Sequence, residues 1–224
     1  MMKLRLMIGA LCIATLGMTG CASKVTQPDE YSGFLSDYSQ LKQAQSPSGA
    51  VVMRWVDPKL DLSRYNAAYI EPTQFYPKPH ATAKIPESTL NGINAYYNQA
   101  LKRELAKSLP LASAPGPGVI VVRAAITAVS SKTEGLKPYE FVPVALVAAA
   151  VSTGTGIRDQ ETTLGTEAQF LDGATGKVIA QVVRKGTGKP LDNAAQVMKA
   201  DDVKSVIDGW ASDLHQSYVK LRNH

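Results

Sequence analysis

The sequence predicts an α+β fold: a two-layer sandwich in which two long helices cover one face of a mainly antiparallel sheet. Three observations lead there. Apolar residues alternate at Ile120, Val122, Ala124, Ile126 and Ala128, and again along Leu164, Thr166, Ala168 and Phe170, the period of half-buried strands. Two other stretches repeat at the helical period: Leu90, Ile93, Tyr97, Leu101, Leu105 and Leu109, then Val203, Ile207, Trp210, Leu214 and Leu221. A helix with one apolar face needs a sheet to cover, so the layers pair as helices on sheet.

The elements follow in order. Tyr65 to Phe75 contains Ala68-Tyr69-Ile70, a strand stopped by Pro72. Pro86-Glu87-Ser88 opens the first helix and Pro110 ends it. Pro115 to Gly118 is a turn cluster before the strand of Ile120 to Ala128. Asp172-Gly173-Ala174-Thr175-Gly176-Lys177 reads as a hairpin loop, because glycine supplies the positive φ such a turn needs. Val178 to Val183 returns as the partner strand. Asp201-Asp202 places negative charge at the start of the last helix, where exposed amides and the dipole favour it. No internal repeat is visible, and residues 51–224 read as one domain.

The N-terminus reads as an export signal over residues 1–20. Lys3 and Arg5 precede an apolar stretch from Leu6 to Leu16, and small residues follow. That stretch is too short to span a bilayer. Leu16-Gly17-Met18-Thr19-Gly20-Cys21 resembles the bacterial lipobox, with Met18 where leucine is usual. Cys21 is therefore the expected lipidation site, carrying diacylglycerol and an acyl chain such as palmitate. Residues 21–50 read as a lipid-anchored tether with one apolar island. In that island Tyr31, Phe34, Leu35, Tyr38 and Leu41 share one face of a short helix, expected to dock on the domain, with the lipid surface as the alternative.

Cleavage before Cys21 removes 20 of the 224 residues and leaves 204. The 24 basic residues less Lys3 and Arg5 become 22 against 19 acidic, a net +3. Charge that small and dispersed gives no case for a nucleic-acid partner. Cys12 leaves with the signal, so the folded domain has no free thiol, which excludes disulfides, zinc-cysteine sites and cysteine nucleophiles.

Tyr31-Ser32-Gly33-Phe34-Leu35-Ser36-Asp37-Tyr38-Ser39, the strand ending Ile70-Glu71-Pro72, and Thr153-Gly154-Thr155-Gly156 together resemble an uncharacterised family of proteobacterial lipoproteins, known as a domain of unknown function. The resemblance covers nearly the whole mature chain. It implies a lipid-anchored envelope location and supplies no catalytic residues.

Residue by residue, the candidate chemistry is thin. Ser39-Gln40-Leu41-Lys42 has serine-x-x-lysine spacing but no partner motifs, since Lys132-Thr133-Glu134-Gly135 is not lysine-threonine-glycine. Gly186-Thr187-Gly188-Lys189 has the wrong glycine spacing for a phosphate loop, and Pro190 replaces the hydroxyl residue. His80, His215 and His224 show no ligand spacing. Asp159 and Glu161 beside Arg158 read as a solvated rim. The uncharged run from Phe141 to Val151 is the feature without an assignment. It is buried core, or a contact surface presenting Phe141, Val144, Leu146, Val147 and Val151.

The expectation is a non-enzymatic, lipid-anchored cell-envelope protein without cofactor or metal, acting by binding or scaffolding. Its expected partners are the membrane, through the anchor, and an envelope protein. Ala22 is not the aspartate of inner-membrane retention, so the outer membrane, periplasmic face, is expected. One alternative is an accessory module holding a small apolar or cell-wall ligand; another is a hydrolase with an unfamiliar site.

Overall fold

The computed structural model describes residues 25–133 and 160–223. Its elements are β1 (Lys42–Gln45), β2 (Val51–Val56), β3 (Ala67–Ile70), β4 (Gln74–Phe75), α1 (Glu87–Leu105), β5 (Val119–Thr133), β6 (Gln160–Asp172), β7 (Val178–Thr187) and α2 (Lys204–Arg222). The strands form one sheet in the order β1-β2-β7-β6-β5-β3, and β4 also pairs with β5. Neighbours are antiparallel except β3 and β4, which run parallel to β5. The fold is the predicted α+β sandwich.

Helices α1 and α2 share one sheet face and bury Ile93, Leu101, Leu105, Ile207 and Trp210 against Val122, Ile126, Leu164 and Ala168. Tyr97 meets Trp210 edge-on, with ring centroids 6.4 Å apart. Two helix ends differ from expectation. α1 stops at Leu105, because Pro110 disfavours helical backbone at Leu109 and residues 106–109 close instead as turns back to Lys102, Glu104 and Leu105. At the other end Asp202 accepts from the Lys199 amide at 2.7 Å. It thus caps a 3-10 turn over Ala200–Val203, one turn ahead of α2.

The opposite sheet face is covered by the N-terminal segment. Residues 31–41 dock on the domain as expected, but not as a helix: Gly33 has φ +85. The Phe34 amide donates to Ser32 Oγ and the Ser39 amide to Asp37 Oδ1, local bonds that compete with helix formation. The segment is an irregular strap that runs into edge strand β1. Part of the stretch read as tether is therefore sheet.

What holds the strap is specific. Leu35 and Leu41 pack on Val183 with Met53 and Trp55, and Tyr31 stacks on Tyr38 at 4.6 Å. Beneath them Glu167, 0% exposed, accepts from the Ser32 amide at 2.8 Å and from Tyr38 Oη at 2.5 Å. Tyr38 Oη in turn accepts from the Gly33 and Leu35 amides at 2.9 and 3.1 Å. Lys185 Nζ reaches both carboxylate oxygens of Glu30 at 2.9 Å.

Burial, then hydrogen bonding to Glu167, pushes the Tyr38 hydroxyl up to about 12. A raised pKa means stability that is whole below the unfolded value of about 10 and is lost as pH rises through the folded one. Tyr38→Phe should cost about 1–3 kcal/mol by orphaning two amides and a carboxylate oxygen. Urea unfolding at pH 7 measures that loss. A pH series should show the parent losing this increment between pH ~10 and ~12, so that the variant, which keeps the loss due to Tyr65, falls less steeply there.

Candidate functional site

The sheet is wider than its roof. Two helices packed side by side at 8–10 Å cover about 20 Å, whereas six strands at ~4.8 Å spacing span roughly 24 Å between outer axes. The uncovered strip becomes a groove between the C-terminal half of α2 and strands β2, β5, β6 and β7. It encloses about 130 Å³, and Val52, Val56, Leu62, Phe170, Val182 and Leu214 are among its walls.

Arg54 of β2 and one ion pair interrupt this apolar lining. Arg184 Nη2 lies 2.6 Å from Asp213 Oδ2, with side-chain exposures of 8% and 3%. Arg184 stands on the helix-facing side of β7, with its guanidinium carbon 5.4 Å from the Trp210 ring centroid. Its Nε is buried and has no acceptor among the described residues. Asp213 also accepts from the amide and hydroxyl of Ser48, at 2.9 and 3.0 Å, which ties the β1–β2 turn to α2. Burial alone would raise the Asp213 pKa, but hydrogen bonding led by Arg184 wins and holds it below the usual carboxylate value. The pair is thus ionised and jointly neutral. Deeper in, Tyr97 Oη donates to Thr166 Oγ1 at 3.0 Å, since the Thr166 hydroxyl spends its proton on the Ala125 carbonyl at 2.8 Å. With mostly apolar walls, and Arg54 as a cation outside the ion pair, the groove suits a mainly apolar guest.

The candidates named from sequence fall elsewhere. Cys21 and the run containing Phe141, Val144, Leu146, Val147 and Val151 lie outside the described residues, as do Asp159 and His224. Ser39 and Lys42 sit on the strap and the edge strand. Gly188 is a packing glycine, because a Cβ there would come within 2.2 Å of the Asp202 carbonyl oxygen. Glu161 accepts from Thr187 Oγ1 at 2.7 Å. His80 is exposed. His215 Nε2 lies 2.8 Å from Ser108 Oγ, but among the described residues no carboxylate bonds the other ring nitrogen to orient it as a base. No group of three metal-ligating side chains occurs among the described residues. The Arg184–Asp213 pair escaped sequence reading. Its trace is an aspartate beside Trp210 and Leu214 in an otherwise apolar stripe, and an arginine in step with Ala180 and Val182.

Comparison with known proteins gives a consistent family. Residues 30–214 match the family model described as a protein of unknown function (DUF3313). An uncharacterized lipoprotein of Escherichia coli K12, YdcL, is 43% identical over 206 residues, 92% of each chain. Among solved structures, the PelC dodecamer from Paraburkholderia phytofirmans aligns with a TM-score of 0.38 at 14% identity, covering 73% of this chain and 96% of that one. Protein XCC0632 from Xanthomonas campestris aligns with a TM-score of 0.40 at 11% identity, covering 75% and 92%.

The buried pair makes a direct stability prediction. Asp213→Ala leaves the Arg184 charge uncompensated and should cost about 3–5 kcal/mol, whereas the double change Arg184→Met, Asp213→Leu should recover most of it. Because the folded pKa of Asp213 is depressed, its contribution is present above pH ~4 and is lost as pH falls further. Urea midpoints of parent, single and double variants from pH 7 to pH 3 check both statements.

Proposed function

We propose that this chain, which belongs to the DUF3313 family of proteins of unknown function, is a lipid-anchored envelope protein that works by binding an apolar ligand rather than by catalysis. The groove carries this reading. Its enclosed part is small, about 130 Å³, but its walls are mostly aliphatic and aromatic, and its buried ion pair is self-neutralised. An acyl or other hydrocarbon moiety would find apolar contact along these walls, and Arg54 would stand beside it for an anionic end.

The anchor rests on the lipobox ending at Cys21 and on the lipoprotein relative. Acylation by several chains holds firmly, at about 0.8 kcal/mol per buried methylene. Ala22 favours the outer membrane, periplasmic face, as the destination. Binding is favoured over hydrolysis because Ser108 and His215 lie outside the groove and have no orienting acid among the described residues.

Both halves are testable. N-phenyl-1-naphthylamine, a neutral apolar fluorophore, should bind the parent saturably, and Ala180→Trp, which fills the groove, should weaken binding at least tenfold with little change in melting temperature. Equal binding by the two proteins contradicts the groove as the site. Cys21→Ser should release the protein from membranes or leave the precursor uncut, while membrane retention with normal processing contradicts the anchor.

A further inference from the structure

We infer that the rim of the sheet where β6 begins and β7 ends faces the bilayer surface, so that the groove opens away from the membrane. This rests on acylation of Cys21.

The first support is length. Thr26 is 9% exposed and belongs to the folded body, yet it follows Cys21 by only five residues. Five residues reach at most about 17 Å when fully extended. A domain of this size is on the order of 40 Å across. The link is therefore too short for the domain to turn end over end. Whichever end Thr26 lies at stays near the lipid.

The second support is direction. Ser32 is bonded to Glu167 and Glu30 to Lys185. Lys185 pairs with Gly165, two residues nearer the start of β6 than Glu167. Traced backwards from Ser32 towards the anchor, the strap thus runs towards Gln160 and Thr187 and away from the Asp172–Val178 hairpin. Those two ends of β6 are separated by about 40 Å at ~3.4 Å per residue. Phe170 and Ala180 of the groove pair across the hairpin half. An anchor at one end and a groove towards the other leave the groove directed into the aqueous space.

The two rims can be labelled separately, because the mature chain has no thiol besides Cys21, which the lipid blocks. Lys189 and Ala174 are both exposed, one at each end. The lipidated full chain, carrying Lys189→Cys or Ala174→Cys with a fluorophore on the new thiol, is reconstituted in phosphatidylcholine vesicles containing headgroup spin-labelled lipid. The Lys189→Cys label should be quenched several-fold more than the Ala174→Cys label. Equal quenching, or stronger quenching at Ala174→Cys, overturns the inference. A flexible Gly-Ser linker of about 40 residues inserted after Ser23, with a typical span of about 35 Å, should remove the difference; a difference that persists overturns the short link as its cause. Recovery of the protein in the soluble fraction with an unmodified Cys21 instead sinks the lipid-anchor reading itself, and this inference with it.

Discussion

A carboxylate buried in the middle of a sheet sets the terms for one whole face of this protein. Glu167 is fully covered and accepts from the Ser32 amide and the Tyr38 hydroxyl. An ionised group cut off from water costs several kcal/mol unless its lone pairs are met, and the donors that meet these come from the strap. Apolar contacts of Leu35 and Leu41 with Val183 would tolerate some sliding, since burial has no direction. The hydrogen bonds do not, because a shift of one residue removes both the Ser32 amide and the Tyr38 hydroxyl from the carboxylate. Glu167 therefore fixes where the N-terminal segment lies, and through it how far the body can stand from its anchor.

The other face is governed by a mismatch of widths. Two helices cannot roof six strands, so apolar side chains of β2 and β7 line a trough at the edge of α2. The Arg184–Asp213 pair stops that trough from collapsing into an ordinary core. It holds α2 to β7 and, through Ser48, to the β1–β2 turn. As a buried ion pair it is weak evidence of extra stability, and hydrophobic replacements of similar volume can match it. Its clearer effect is to set the height of α2 above the sheet without adding net charge to the groove.

Much of this was legible in the sequence, for physical reasons that differ by element. β5, β6 and both helices each present one apolar face, so their periods of 2 and 3.6 show plainly. β2 does not: Val51-Val52-Met53-Arg54-Trp55-Val56 is apolar on both sides except at Arg54, because the groove takes one face and the strap the other, which erases the alternation. β1 is a polar edge strand with nothing to alternate against. The strap mimicked a helix through its three, four and seven spacings, which an irregular chain can also produce when it lays aromatic residues on a flat sheet. Glu167 and the Arg184–Asp213 pair were illegible as sites, because a charge inside an apolar pattern shows its partner only once the strands are in register.

The central claim is that the segment after the anchor belongs to the fold and is not a tether. Native-state amide hydrogen exchange of the full mature chain tests it most directly, read at Ser32, Gly33 and Leu35, whose amides bond to Glu167 and Tyr38. The account predicts strong protection at all three, approaching that of the sheet interior and lost together in Glu167→Ala. Exchange at these amides as fast as in an unstructured peptide, with β6 and β7 still protected, would contradict it.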